Sequence, residues 1–264
     1  SIIIRTKNEE RWIKSCLETI KSQLYKKYEI IIVDNNSSDK TIEICKKFKI
    51  KKILNIKNYK PGKALNLGIA NSEGFYNVFI SAHCIPFDKY WLLNLVNAIQ
   101  EDDKYAGVYG RQIPMSFSSN SNKRDLITVF GLDRKIQIKD PFFHNANSIV
   151  LTSLLKKYPF SNSVNSLEDR VWAEKILKKK YKILYTPDAV VYHYHGIHQD
   201  GNNQRLKNVI DVIEENKSKK NSVLKRKNKK NLNVIAIIPV KGKTLFYNDK
   251  SLLSYTVNCA KKSK

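Results

Sequence analysis

Short apolar runs alternate with polar turns along most of this 264-residue chain. Ile2–Arg5 is a short strand, and TKNEE after it is a polar turn that opens a helix. Trp12, Ile13, Cys16, Leu17, Ile20 and Leu24 then recur at helical spacing and predict a stripe facing the core. Tyr28–Val33 predicts a second strand ending in the turn DNNSSDKT, where Ser38 or Asp39 can cap a helix carrying Ile42, Ile44, Cys45 and Phe48. Ile53–Ile56 is a weaker strand, and KPGKALNLGIANSEG supplies a loop, a short helix and a turn. The run Phe75–Pro86, FYNVFISAHCIP, is β-branched and aromatic and reads as a buried central strand that stops at a polar turn holding His83 and Cys84. An amphipathic helix follows it, with Trp91, Leu92, Leu95, Val96 and Ile99 on its inner face.

Strand and helix alternate to about residue 103, which implies an α/β architecture with a parallel sheet and right-handed crossovers. Beyond it Ala106–Ile113 predicts a strand, and the long polar segment with SFSSNSN (116–122) at its centre is a candidate mobile loop. Ser148–Leu155 is apolar, Glu168–Lys178 reads as a helix, Tyr181–Tyr185 and Ala189–His193 as strands, and Asn202–Ile213 as a helix. Ligands of open α/β sheets bind beyond the carboxyl ends of the strands. Ser81, Ala82, His83 and Cys84 hold such a position, and His83 is either a turn histidine or part of a site.

Charge narrows the partners. Lys and Arg number 48 against 24 Asp and Glu, a net +24 that favours nucleic acid, an anionic membrane face or phosphate-bearing substrates. Lys217–Lys230, KSKKNSVLKRKNKK, contains no acid. The aromatics are spread through core-like positions and no nucleic-acid module is recognisable, so no specific nucleic-acid partner is expected. Cys16, Cys45, Cys84 and Cys259 show no metal-ligand spacing, which fits reduced thiols of a cytoplasmic protein. No apolar stretch approaches the ~20 residues that span a bilayer, and Arg5 and Lys7 interrupt the N-terminal run, unlike a signal peptide. The expected location is cytoplasmic, with the basic run in peripheral contact with an anionic inner-membrane face.

IIIRTKNEERWI, IIIVDNNSSDKT, KALNLGIANSEG, FISAHCIP and LEDRVWAEKIL follow one another in an order and spacing that resembles the family 2 glycosyltransferases of GT-A fold, over about residues 1–200. FISAHCIP stands in the place of the family's DxD turn and LEDRVWAEKIL in that of its Glu-Asp helix. The resemblance implies a nucleotide-diphospho-sugar transferase fold over about 1–215, a mostly parallel central sheet flanked by helices. It also implies inverting transfer from a nucleotide-sugar donor to a glycan or lipid-linked acceptor in capsule or lipopolysaccharide synthesis, usually with Mg²⁺ or Mn²⁺ on the pyrophosphate.

Carried onto this chain, the resemblance makes Arg5, Thr6, Glu9, Asp34 and Asn35 a polar cradle for base and ribose. The amide of Asn35 can donate or accept, which leaves the base open. Lys63 and Asn66 reach ribose or phosphate, or Lys63 is simply an exposed helix lysine. Ser81-Ala82-His83 replaces DxD, so Ser81 faces the donor and His83 takes the metal position. The DxH turn of the polypeptide N-acetylgalactosaminyltransferases is a precedent, and imidazole suits Mn²⁺ better than Mg²⁺. HYHGIHQ offers His195 and His198 to the same ion, and strand parity puts His193 and His195 on one face. Two readings stand: a cation held by His83, His195 and His198, or a metal-free site neutralised by Arg170 and the histidines. Asp169 is the expected general base, Glu168 an acceptor ligand, and Arg170 a counter-charge to the leaving diphosphate. The plain alternative for the two acids is stabilisation of a helix N-terminus.

Composition changes at Asn233. The segment 233–264, opening VIAIIPVKGK, resembles the start of the cytidylyltransferases that make CMP-acylneuraminates, with 216–232 as a basic linker. It is too short to form that domain, and a plain amphipathic addition is the other reading. The competing functions are a catalytically decayed nucleotide- or glycan-binding relative and one part of a bifunctional protein with CMP-acylneuraminate synthetase activity.

Overall fold

The computed structural model describes residues 1–196 and the backbone of Phe246–Tyr247 and Lys250–Ser251, which pair antiparallel. By its contacts the chain divides into Ser1–Ser218 and Lys219–Lys264. His198, the predicted helix Asn202–Ile213, the basic run Lys217–Lys230, Cys259 and nearly all of the cytidylyltransferase-like segment lie outside the described residues.

The first half alternates as predicted: β1 Ile2–Thr6, α1 Ile13–Lys21, β2 Ile30–Asp34, α2 Thr41–Cys45, β3 Lys52–Asn55, α3 Pro61–Ala70 and β4 Tyr76–Ser81. These four strands are parallel in the order β3-β2-β1-β4. Helices cover both faces, so β1 and β2 are apolar at consecutive positions rather than alternately. Ile2, Ile4, Ile30 and Ile32 pack with Ile13, Cys16, Leu17 and Ile20 of α1. Ile3, Ile31 and Val33 point the other way, onto Ala64, Leu65 and Ile69 of α3.

The second half is β5 Cys84–Pro86, α4 Trp91–Gln100, β6 Tyr105–Pro114, α5 Asn120–Val129, β7 Lys135–Gln137, β8 Asn147–Leu151, α6 Thr152–Lys157, α7 Glu168–Lys178 and β9 Lys182–His193. The sheet continues as β4-β8-β6-β9-β5, and β7 lies beside the first part of β9. Here it becomes mixed: β8 is antiparallel to β4 and β6, and β5 to β9. None of the helices among the described residues is long and apolar enough to cross a membrane.

Four expectations change. The run Phe75–Pro86 turns at Ala82-His83 as expected, but does not end there: Cys84–Pro86 re-enters the sheet as a second strand that pairs with β9 instead of β1 and β8. Leu24 is 46% exposed; α1 has ended, and Gln23 takes the inward place, donating to Thr19 O and Asp88 O and accepting from Leu92 N. SFSSNSN is loop only in part: 116–119 form a turn, and α5 opens at Asn120 with Ser119 Oγ accepting Asn122 N. Tyr181–Tyr185 and Ala189–His193 belong to one strand, β9, whose register against β6 shifts between Gly110 and Gln112. Glycine is required there, since a Cβ on Gly110 would lie 2.1 Å from Ala189 O. Asn147 pins this junction: its Nδ2 donates to Ala189 O at 2.8 Å and Arg111 O at 3.1 Å, and its Oδ1 accepts Trp91 Nε1 at 2.8 Å.

Candidate active site

Beyond the ends of β1 and β4 lies a cavity of about 400 Å³ that is reached by Arg5, Ser81, His83, the 142–146 and 165–167 segments, the first residues of α7, and His193, His195 and Gly196. The turn between β4 and β5 carries His83 beside the end of β9, so one ring nitrogen each of His83, His193 and His195 lies within 4.8 Å of the others. The ring centres are 4.5 to 5.2 Å apart. His195 is brought in as anticipated, and His193 is a member that parity had placed on the same face.

The partners of these rings fix their protons. His83 Nδ1 is 2.8 Å from Glu9 Oε1, a carboxylate oxygen that only accepts, so Nδ1 carries the hydrogen. His195 Nδ1 likewise donates to Gly196 O at 3.0 Å. His193 depends on Gln112, which is buried on β6. Ala146 N–H points at His144 Nδ1, making that nitrogen an acceptor, so the amide group of Gln112 donates to it at 3.1 Å. Its Oε1 must then face His193 Nδ1, 2.7 Å away, and accept from it. In all three histidines the Nδ1 proton is committed to oxygen, which leaves Nε2 as the ring nitrogen with a lone pair to offer a ligand. That is how ligating imidazoles are usually oriented.

The carboxylates enter from α7. Leu167 holds a left-handed conformation, φ 58, at the helix start, at a cost of order 1–2 kcal/mol for a residue with a Cβ. The bend sends both Glu168 and Asp169 into the interior, 5% and 8% exposed. Arg5 Nη1 donates to Glu168 Oε1 at 3.1 Å. Asp169 accepts Asn145 N at 3.2 Å and Arg170 N at 2.8 Å, one on each oxygen. Burial raises the pKa of both acids, only partly offset by Arg5 and these amides, and Asp169 pushes Glu168 further. Burial pulls Arg5 down, yet Glu168, Tyr59 and Asp169 together hold it above its ordinary value. Both directions fit two buried acids sharing one guanidinium. Arg170 lines the cavity with its guanidinium 4.9 Å from the Phe142 ring. Ser166 Oγ, also lining it, is buried with no hydrogen-bond partner among the described residues.

The remaining sequence-predicted residues do not reach the cavity wall. Thr6 Oγ1 donates to Asp34 Oδ1 at 2.8 Å, Asp34 Oδ2 accepts Ser37 N, and Asn35 N donates to Thr6 O, a closed group at the ends of β1 and β2. Asn8 and Asn36, at φ 53 and 52, shape the flanking turns. Glu9 touches the site only through His83. Lys63 is exposed and donates to Lys57 O. Asn66 is spent on Phe160 O and Asn162 Oδ1. Tyr59, Phe142, Asn145 and Gln112 were not anticipated.

Cys16, Cys45 and Cys84 are free and buried, their thiols raised by burial, Cys45 to about 11, and none lines the cavity.

Residues 1–159 match the family described as Glycosyl transferase family 2. The dolichyl N-acetyl-alpha-D-glucosaminyl phosphate 3-beta-D-2,3-diacetamido-2,3-dideoxy-beta-D-glucuronosyltransferase of Methanococcus voltae is 32% identical over 215 residues, 74% of this chain and 66% of that protein. The O-antigen chain rhamnosyltransferase RfbN of Salmonella typhimurium is 26% identical over 209 residues, with the same shares. This chain thus spans about two thirds of the length of either relative. Among solved structures, the mannosyltransferase PcManGT from Pyrobaculum calidifontis, in complex with GDP-Man and Mn2+, has a TM-score of 0.60 at 22% identity, over 73% of this chain and 55% of its own, a likeness of fold. The family match covers more than half of the chain, takes in Arg5 on β1, Ser81 on β4 and His83 in the turn after it, and agrees with the fold: the chain belongs to glycosyl transferase family 2.

Proposed function

We propose that the chain is the transferase part of an enzyme that moves a sugar, with inversion, from a nucleotide-sugar donor to a glycan or lipid-linked acceptor in surface-polysaccharide synthesis. The observation that carries this reading is one cavity lined both by three converging imidazoles and by two buried carboxylates. Asp169 is the base: its oxygens are each steadied by a backbone N–H, and burial raises its affinity for the acceptor hydroxyl's proton. Glu168, braced by Arg5, orients the acceptor. Arg170 and the imidazoles face the leaving diphosphate, and Ser166 Oγ supplies an unspent polar group to the substrate.

The donor set also fits a divalent cation. His83, His193 and His195 would hold it, and His198 adjoins them in sequence. A bound cation would supply positive charge to the diphosphate. An all-imidazole set lacking carboxylate favours Mn²⁺ over Mg²⁺.

Thermal-shift measurements with UDP, CDP, GDP and CMP, with Mn²⁺ or EDTA, test the reading, since a ligand of the folded state raises the melting temperature. One nucleotide is expected to stabilise the protein, more so with Mn²⁺. No response to any nucleotide, together with salt-sensitive RNA binding, would overturn it. A nucleotide response indifferent to Mn²⁺ and EDTA would remove the cation alone.

A further inference from the structure

Gln112 imposes opposite tautomers on its two histidine neighbours. Its Oε1 accepts from His193 Nδ1, so His193 keeps its lone pair on Nε2. Its Nε2 donates to His144 Nδ1 at 3.1 Å, and the Ala146 N–H approaches the same nitrogen at 3.4 Å. A neutral imidazole whose Nδ1 accepts carries its proton on Nε2. His144 is therefore an N–H donor at the atom where His83, His193 and His195 are acceptors, and it is not a member of their converging group. Two aromatic rings orient it. Phe142 lies alongside the imidazole at 25° with centres 6.5 Å apart, and Phe130 meets it edge-on at 6.1 Å. The ring lines the active-site cavity. With Nδ1 turned onto Gln112 and Ala146, the Nε2–H is the polar group it offers to a substrate there.

The neighbours of His144 decide which part of the substrate it meets. Its ring centre is 6.4 Å from that of His193, and the next residue, Asn145, donates its backbone N–H to Asp169 Oδ2 at 3.2 Å. The first neighbour belongs to the group assigned to the diphosphate, and the second is the base assigned to the acceptor hydroxyl. In an inverting displacement the leaving and attacking oxygens lie on opposite sides of the anomeric carbon, so the transferred sugar occupies the space between those two groups. A donor flanked by both faces that sugar rather than the nucleotide. Hydroxyl, carbonyl and carboxylate oxygens of a sugar can all accept from it. An N–H left unmatched in the cavity wall penalises a sugar that has no oxygen at that place.

We propose that His144 contacts the transferred sugar, its Nε2–H donating to an oxygen of that group and so selecting among donor sugars. This rests on the transferase reading. The test is titration calorimetry of the full chain, wild type, His144→Phe and His144→Gln, with UDP, UDP-glucose, UDP-N-acetylglucosamine, GDP and GDP-mannose in the presence of Mn²⁺. Phenylalanine keeps a ring against Phe142 and Phe130, and glutamine returns an amide N–H near the place of Nε2. Both remove the acceptor of Gln112, so the difference between them isolates the donor. The quantity read in each protein is the affinity for a nucleotide sugar divided by that for its own diphosphate, which cancels any change at the diphosphate group. For at least one pair this ratio is expected to fall about 3–10-fold in His144→Phe, the worth of one hydrogen bond, and to stay near wild type in His144→Gln. A ratio unchanged in His144→Phe for every pair, or lowered equally in both variants, would overturn the proposal and leave the transferase reading standing. So would a wild type that binds the diphosphates but none of the nucleotide sugars. No binding of any of the five compounds would defeat the transferase reading and the proposal with it.

Discussion

Replacing Gln112 by Leu tests the orientation of the histidine cluster without touching a proposed ligand. In the protein Gln112 Oε1 accepts His193 Nδ1–H at 2.7 Å, and the His193 side chain is buried. Leucine strands that donor, while His144 Nδ1 keeps the Ala146 amide at 3.4 Å. One stranded buried donor costs about 1–3 kcal/mol, or roughly 2–12 °C in melting temperature for a domain of this size. Mn²⁺ affinity should fall about 10–100-fold, the usual penalty for losing the hydrogen bond behind a ligating imidazole. Gln112→Glu separates orientation from packing: its carboxylate still accepts from His193 and asks only that His144 shift its own proton, so Mn²⁺ binding should stay within a few-fold of wild type. Titration calorimetry of the full chain with Mn²⁺ reads both variants. Wild-type affinity in Gln112→Leu, or an equal loss in both, would refute the tautomer argument.

Asp169→Asn should lower turnover about 10²–10⁴-fold while nucleotide-induced stabilisation persists, because the base acts on the acceptor; a steady-state assay beside thermal shifts would expose either half as wrong. The raised pKa of Asp169 means the base stays protonated to a higher pH than an ordinary carboxylate, so kcat/KM should fall on the acid side at a correspondingly higher pH. Glu168→Gln removes the neighbouring negative charge and should move that limb to lower pH; an upward shift would contradict the shared-guanidinium picture. Asn147→Ala strands Trp91 Nε1 and the carbonyls of Arg111 and Ala189, and should cost about 3–5 kcal/mol in urea unfolding.

The periodicity of α1, the short helix within KPGKALNLGIANSEG, the consecutive apolar residues of β1 and β2, and the bounds Glu168–Lys178 were legible because each is decided within a few residues of chain. His193 and His195 shared a face by strand parity alone. What was not legible depends on partners far away. The turn at Ser81–Cys84 could be read, but that Cys84–Pro86 forms a strand is decided only by the later arrival of β9. Leu24 looked like core because its spacing continued past the real end of α1. Asn66 carries no sign that its partners are Phe160 and Asn162. Gln112 gave no signal, since a glutamine in a strand becomes informative only when two histidines flank its amide.

The division of the central run sets a schedule for synthesis. β5 lies at the sheet edge and pairs with β9, so the strand after His83 has no partner until residues 191–193 have been made. At about 5–20 residues per second the ribosome needs roughly 5–20 s to cover that interval. Throughout it, Cys84–Pro86 is an open edge on a nascent chain whose first four strands can already have paired. β9, the last strand of this sheet to emerge, both closes that edge and delivers His193, so a chain broken off before residue 190 leaves the edge open to aggregation.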